Sequence, residues 1–257
     1  MILTADYHTH TIYSHGKDKV IDNACVAKEK GLIELGITDH GFSHPAFGLR
    51  QRKLKSLKED CKNATEITGV KVLVGIESNI LGIDGTVDLK PKNYDDFDLF
   101  LAGFHRFVLF KPKTALSVFL PDFTATLFNK KTVSKSLIDR NTKTFINVIK
   151  NNPVDVITHL NFCCFTDAVE VSKVAADYGT YIELNAKKTH LSDEELFNIA
   201  KTGVNFVIDS DAHGKERVGE ISLVLETLKR VDIPESRIMN VNGKLPDFRF
   251  RRFKEGK

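Results

Sequence analysis

The chain has 257 residues, 42% of them hydrophobic and 28% charged, and a formal net charge of +3, which excludes a disordered, fibrous or disulfide-scaffold protein and speaks against a nucleic-acid partner. Its apolar runs fall far short of the roughly 18 residues of a membrane span, and its first residues lack the basic, apolar and small-residue succession of a secretion signal. Four cysteines, with no Cys-x-x-Cys spacing, read as reduced thiols, so the expectation is one cytoplasmic domain, 1–257, with no membrane partner.

In chain order, apolar runs alternate with helical patterns. Residues 2–8 read as a strand, 20–30 as a helix closed by Gly31, 35–39 as a second strand, and 53–68 as an amphipathic helix with Gly69 as its C-terminal stop. The third and fourth strands are expected over 70–77 and 99–104, a helix over 141–150, and the fifth strand over 154–158. A helix over 168–178 stops at Gly179, and the sixth strand follows over 180–184. Ser192 with Glu195 three residues on marks a capping box. The seventh strand, 204–208, and a helix over 221–229 complete the series. Seven short apolar strands alternating with helices predict a parallel α/β fold covered on both faces. Periodicity alone leaves an open doubly wound sheet and a closed barrel as alternatives.

One stretch breaks the rhythm. Eight of the eighteen phenylalanines fall between Phe97 and Phe128, and Lys111, Lys113, Lys130 and Lys131 flank the apolar part. A helical lid over 108–140 is the expectation, the alternative being an excursion that only thickens the wall. The basic tail, 248–257, reads as a solvated terminus.

The chemistry lies in the placement of the histidines. His8 and His10 end the first strand, and residues two apart in an extended segment point the same way. His40 ends the second strand, Glu77 the third, His159 the fifth, and Asp211 and His213 the seventh; His105 follows the fourth, and His15 lies in the first loop. In parallel α/β folds the functional site lies at the carboxyl ends of the strands. A single histidine there is usually structural, but nine nitrogen and oxygen donors on one rim are too many for one ion, and without cysteine they suit two or three divalent ions of the Zn, Mn or Fe type.

These motifs, Asp6-Tyr-His-Thr-His10, Ile37-Thr-Asp-His40, Gly75-Ile-Glu-Ser-Asn79, Ala102-Gly-Phe-His105, Ile157-Thr-His159 and Ser210-Asp-Ala-His213, resemble the PHP (polymerase and histidinol phosphatase) family over roughly residues 3–106 and 141–242. With Asp84-Gly85 and Val87-Asp88, the likeness is to its stand-alone trinuclear phosphoesterase branch. The chain departs from that pattern at Leu160, where many relatives carry proline, and in the length of the insertion between His105 and His159. The resemblance implies a distorted seven-stranded (β/α) barrel of the TIM type and three divalent metal ions. His8, His10, Glu77 and Asp211 would hold the first, Glu77, His105 and His159 the second, and His15, His40 and His213 the third, with Glu77 bridging. Such a centre would retain about four positive charges and favour a phosphate dianion, to be hydrolysed by a metal-bridging hydroxide.

No protein nucleophile stands out, since neither Gly-x-Ser-x-Gly nor a Walker-type loop occurs. Asp6 and Asp39 are candidates to orient ligand histidines, or else to cap loops. His44 or His190 could protonate the leaving oxygen. Arg106, beside a ligand, and Arg217, just past His213, are candidate phosphate grips. Cys163 and Cys164 suit buried packing better than a thiolate role. The expected activity is hydrolysis of a small phosphomonoester. The alternatives are histidinol-phosphate hydrolysis, a PHP-type nuclease, a catalytically silent metal-bound scaffold, and a metal-dependent amidohydrolase.

Overall fold

A computed structural model of the protein describes residues 1–127 and 133–256. Seven parallel strands lie side by side in sequence order: β1 (Ala5–Thr9), β2 (Glu34–Ile37), β3 (Lys71–Asn79), β4 (Leu99–Gly103), β5 (Val156–Ile157), β6 (Tyr181–Asn185) and β7 (Phe206–Asp209). All seven expected strands are present. Apart from Lys71 every strand residue is buried, as a sheet packed on both faces requires.

The connecting helices are α1 (Val20–Glu29), α2 (Leu54–Thr68), α3 (Pro112–Thr114), α4 (Leu120–Leu127), α5 (Lys135–Asn151), α6 (Ala168–Tyr178), α7 (Asp193–Ala200), α8 (Ser222–Leu228) and α9 (Arg249–Lys254). None of the described helices is long and apolar enough to cross a membrane. Gly69 ends α2 in a left-handed conformation at φ 77°, and the Ser192–Glu195 capping box starts α7. Helix α5 begins at Lys135, six residues earlier than expected, because Ser134 caps it by accepting a hydrogen bond from the Leu137 amide.

The sheet closes on itself, which decides for the barrel over the open sheet. Closure is imperfect: β1 and β7 share one parallel bridge, Thr9 with Ala212, in place of a ladder. Side chains fill the seam. Asn240 donates to the Ala5 and Ile208 carbonyls at 2.8 and 2.7 Å, and Asp209 accepts from the Tyr7 amide at 2.7 Å. The barrel interior is a layer of Ala5, Tyr7, Leu73, Leu99, Leu101, Val156, Tyr181 and Val207, and Phe248 belongs to it.

That last residue corrects the expectation of a solvated tail. The Phe248 ring meets Tyr7 edge-on at 4.8 Å and Tyr181 at 5.9 Å, while Phe250 packs on Tyr94 and Phe100 at 5.1 and 5.6 Å. The Phe250 amide donates to Asp155 at 2.7 Å, and the same carboxylate accepts from the Phe100 amide at 2.9 Å. Phe248 therefore plugs the amino-terminal end of the barrel, Phe250 packs into the surrounding core, and Arg249 donates to the Ile149 carbonyl at 2.7 Å.

The Phe-rich stretch is helical, as expected, through α3, a wide π-type segment (Ala115–Phe119) and α4. Asp122 fastens it to the barrel wall, accepting from the Asn141 side chain at 2.8 Å and the Phe165 amide at 3.2 Å. Phe128, Lys130 and Lys131 lie outside the described residues.

Candidate metal centre

The backbone brings the nine donors to the carboxyl-terminal rim by local devices. The β1–β2 register slips between Asp6 and Thr9. Below the slip Ala5 and Tyr7 join the interior layer, and above it His8 and His10 reach the site, their Nε2 atoms 3.1 Å apart. His40 bridges to Glu77 as an extension of the β2–β3 pairing. His159 and Asp211 adopt positive φ, 28° and 48°, as do Phe107, Asn161 and Cys163 nearby. Non-glycine residues in that region cost about 1–3 kcal/mol each and concentrate at functional sites. Gly103 lets the wall approach closely: a Cβ there would meet Thr158 Oγ1 at 2.3 Å and His159 Cε1 at 2.8 Å.

Glu77 is the centre of the arrangement and is fully buried. Its Oε1 lies 2.7 Å from His159, 3.1 Å from His105 and 3.3 Å from His8, and its Oε2 lies 2.8 Å from His40 and 3.8 Å from His10. The two oxygens thus serve two different sets of imidazoles. Asp211 Oδ1 stands 3.2 Å from His213, 3.4 Å from His10 and 3.9 Å from His8. The His15 ring stacks at 5.6 Å on His40 and meets His213 edge-on at 4.7 Å. All nine residues named from the sequence are therefore assembled in one cluster.

The chemistry of this donor set fits divalent metal ions. Three buried ring nitrogens of the cluster, His10 Nδ1, His105 Nδ1 and His159 Nδ1, have no hydrogen-bond or ion-pair partner among the described residues. Buried polar atoms seldom go unpaired without a reason such as an ion. Three triads have ligand atoms at metal-holding separations, namely His8, His10 and Asp211; His40, Glu77 and His105; and His10, His40 and His213. Cysteine is absent from them, so the set is one of nitrogen and oxygen donors.

The charge states of Glu77, Asp211, His10 and His40 suit ligation, whereas His8 and His159 are raised by their carboxylate neighbours against burial. Burial would raise the Glu77 carboxyl, but His105 and His8 hold it well below the ordinary carboxylate range. Asp211 is held down likewise, against burial, by His8, His10 and His213. Burial and the neighbouring His40 and His213 push His10 well below an ordinary imidazole. His40 is also lowered, by burial first, although Glu77 opposes it. His8 moves up, because Glu77, Glu183 and Asp211 outweigh its burial.

Sequence reasoning missed Glu183, on β6. Its Oε1 lies 2.6 Å from His8 Nδ1, and its Oε2 accepts from the His159 amide at 2.5 Å and from Asn185 at 3.0 Å. One carboxylate thus holds a ligand ring and a ligand backbone. Asp6 and Asp39 touch no imidazole side chain. Asp6 accepts from Ser210 Oγ at 2.6 Å and the Gly219 amide at 2.8 Å, and Asp39 from Thr11 Oγ1 at 2.6 Å and Ser14 Oγ at 2.5 Å. They tie loops together, the second of the roles expected for them.

A cavity of about 400 Å³ opens over the cluster. His44, His190 and Arg106 line it, as do Phe47, Phe107, Phe162, Lys187 and Lys188, which sequence reasoning did not single out. Lys187 Nζ reaches Asp211 Oδ1 at 3.2 Å and His213 Nδ1 at 3.0 Å. Burial and His159 push His190 down to about 4. Arg217 does not line the cavity; its guanidinium donates to the Ala186 carbonyl at 3.1 Å, a structural tie in place of the expected phosphate grip. Cys164 is fully buried in the core, and burial pushes the thiols of both Cys163 and Cys164 up, away from thiolate chemistry.

Comparison with known proteins gives a consistent family pattern. A model of the PHP domain matches residues 6–187. A protein of Thermoanaerobacter sp. named a probable phosphatase is 33% identical over 265 residues, 96% of this chain and 95% of that one. A probable phosphatase of Vibrio parahaemolyticus is 32% identical over 262 residues, 95% and 91% of the two chains. Among solved structures, histidinol phosphate phosphatase from Lactococcus lactis, in complex with zinc, L-histidinol and phosphate, matches with a TM-score of 0.61 at 14% identity, covering 96% of this chain and 100% of that one. At that identity the structural likeness speaks for the fold.

Proposed function

Because this chain belongs to the PHP family, we propose that it is a metal-dependent phosphoesterase that hydrolyses a small phosphomonoester with three divalent ions, Zn, Mn or Fe. The observation that carries this reading is the buried Glu77, whose two oxygens face two sets of imidazoles within 4 Å. His8, His10, Glu77 and Asp211 would hold one ion, Glu77, His105 and His159 a second, and His15, His40 and His213 the third. Ions held there supply charge neutralisation for the phosphate and lower the pKa of a water that attacks phosphorus.

The chain's own groups do the rest. Glu77 and Asp211 stay ionised although buried, and His10 and His40 stay neutral, the forms that ligate. Glu183 fixes the His8 ring so that Nε2 faces the cluster. His44 Nδ1 accepts from the Phe47 amide at 3.0 Å, which places the proton of its neutral ring on Nε2, in the cavity wall, as a donor for the leaving oxygen. We read the stretch 108–140 as the lid of this cavity, since Phe119 and Phe123 hold the rim residue Phe107 at 6.0 and 5.9 Å.

The test is hydrolysis of a phosphomonoester in oxygen-18 water by protein stripped with chelator and then reloaded. Activity should vanish and return, and in a single turnover one solvent oxygen should enter the phosphate. A trapped covalent phosphoenzyme, or activity indifferent to the chelator, would contradict the reading.

A further inference from the structure

The cavity over the metal cluster has a charge pattern of its own. Asp211 is the one carboxylate among its described lining residues, whereas Arg106, Lys187 and Lys188 are cations. Lys187 is already engaged with Asp211 and His213. Arg106 and Lys188 are not. Neither forms an ion pair among the described residues, and Arg106 Nε is buried without a hydrogen-bond partner. Both lie near Cys163, each opposing the burial that raises its thiol. That spot lies on the β4–β6 side of the cavity. The Arg106 guanidinium carbon lies 5.9 Å from the Phe123 ring, and Arg106 makes no ion pair with Glu77 or Asp211 among the described residues. Phe107 and Phe162 supply apolar wall on the same side, Phe162 packed at 4.9 Å on His190.

Resting on the phosphoesterase reading, we infer that Arg106 and Lys188 form a second anion subsite, which selects a phosphomonoester whose leaving group combines an apolar body with a carboxylate or a second phosphate. A guanidinium in the cavity lining with no ion-pair partner presents a fork that binds such an anion bidentately. The phenylalanines accept the apolar body. A leaving group bearing an ammonium would meet two cations and no free carboxylate, a like-charge juxtaposition that specificity exploits. Arg106 is thereby assigned to the leaving group and not to the phosphate under attack.

Non-hydrolysable probes test this independently of turnover. Calorimetric titration of metal-loaded protein would compare phenylphosphonate with its 4-carboxy, 4-phosphono and 4-aminomethyl derivatives. The 4-carboxy or 4-phosphono compound should bind about tenfold more tightly than phenylphosphonate, and the 4-aminomethyl compound more weakly. Which of the two anions gains more identifies the natural group. Lys188 is exposed, so Lys188→Gln should fold normally and lose at least about threefold of the preference, and Lys188→Arg should keep it. Equal affinities, a preference for the ammonium, or an unchanged preference in Lys188→Gln would overturn the inference. Hydrolysis of phenyl phosphate alongside indifferent affinities would overturn it alone. Failure to hydrolyse any phosphoester or bind any phosphonate would overturn the phosphoesterase reading with it.

Discussion

Glu77 concentrates the chemistry of the site in one side chain. A carboxylate between two cations screens charges that would otherwise repel strongly at short range. Glu77→Gln keeps the shape and removes the charge, so metal analysis should show the loss of more than one ion per chain, with an unchanged circular dichroism spectrum. His15→Ala should lose chiefly one ion, because His15 stacks on His40, meets His213 edge-on and makes no ion pair with Glu77 among the described residues. Glu183 predicts a different effect. Glu183→Gln replaces one of two acceptor oxygens, either the one facing His8 or the one shared by the His159 amide and Asn185, so metal affinity should weaken about 10–100-fold, read by competition with a chromogenic chelator. Eight of the nine clustered residues were legible because each sits in or just past a strand end, where a histidine or acid is conspicuous against apolar neighbours, and His15, in the first loop, was named through the family resemblance. Glu183 was not legible by that rule. It lies in the middle of Tyr181-Ile-Glu-Leu-Asn185, and the signal was the charge itself, a glutamate in a strand buried on both faces.

At the scale of elements, the strands were legible because apolar runs of this length have few alternatives, while their ends and caps depend on contacts remote in sequence. Helix α5 starts early because Ser134 caps a turn whose residues look polar. The carboxyl-terminal segment was misjudged because four basic residues between Phe248 and Lys254 hide two phenylalanines with separate jobs. Phe248 closes the barrel interior and Phe250 wedges between Tyr94 and Phe100. Phe250 is fully buried, so Phe250→Ala should destabilise the protein by about 3–5 kcal/mol. Arg252→Ala, removing an exposed ion pair with Asp247, should cost about 1 kcal/mol or less. Urea unfolding of the two variants side by side separates plug from tail. Equal, small losses would return the segment to a solvated role.

For the molecule as a whole, both ends of the barrel matter, one for stability and one for chemistry. At the lower end Asp155 joins β4 to the carboxyl-terminal segment, and burial pushes its carboxyl up to about 7 against two backbone hydrogen bonds, with Arg251 and Arg249 also opposing. The folded state therefore holds a proton that the unfolded chain releases near its ordinary 3.8. By linkage the stability that this proton contributes is full below about 4, falls as pH rises to about 7, and is level above that. Asp155→Asn should be less stable throughout, and the wild-type advantage in urea midpoint should shrink between those limits. A constant advantage would contradict the shift. At the upper end stands the proposed multi-metal centre around Glu77 for phosphomonoester hydrolysis. Its most direct test is phosphate release by metal-stripped protein titrated with Zn or Mn, with activity followed against ions added per chain. No activity is expected without metal and a plateau is expected near three equivalents, whereas full activity without metal, or a plateau at one, would contradict a centre of three ions.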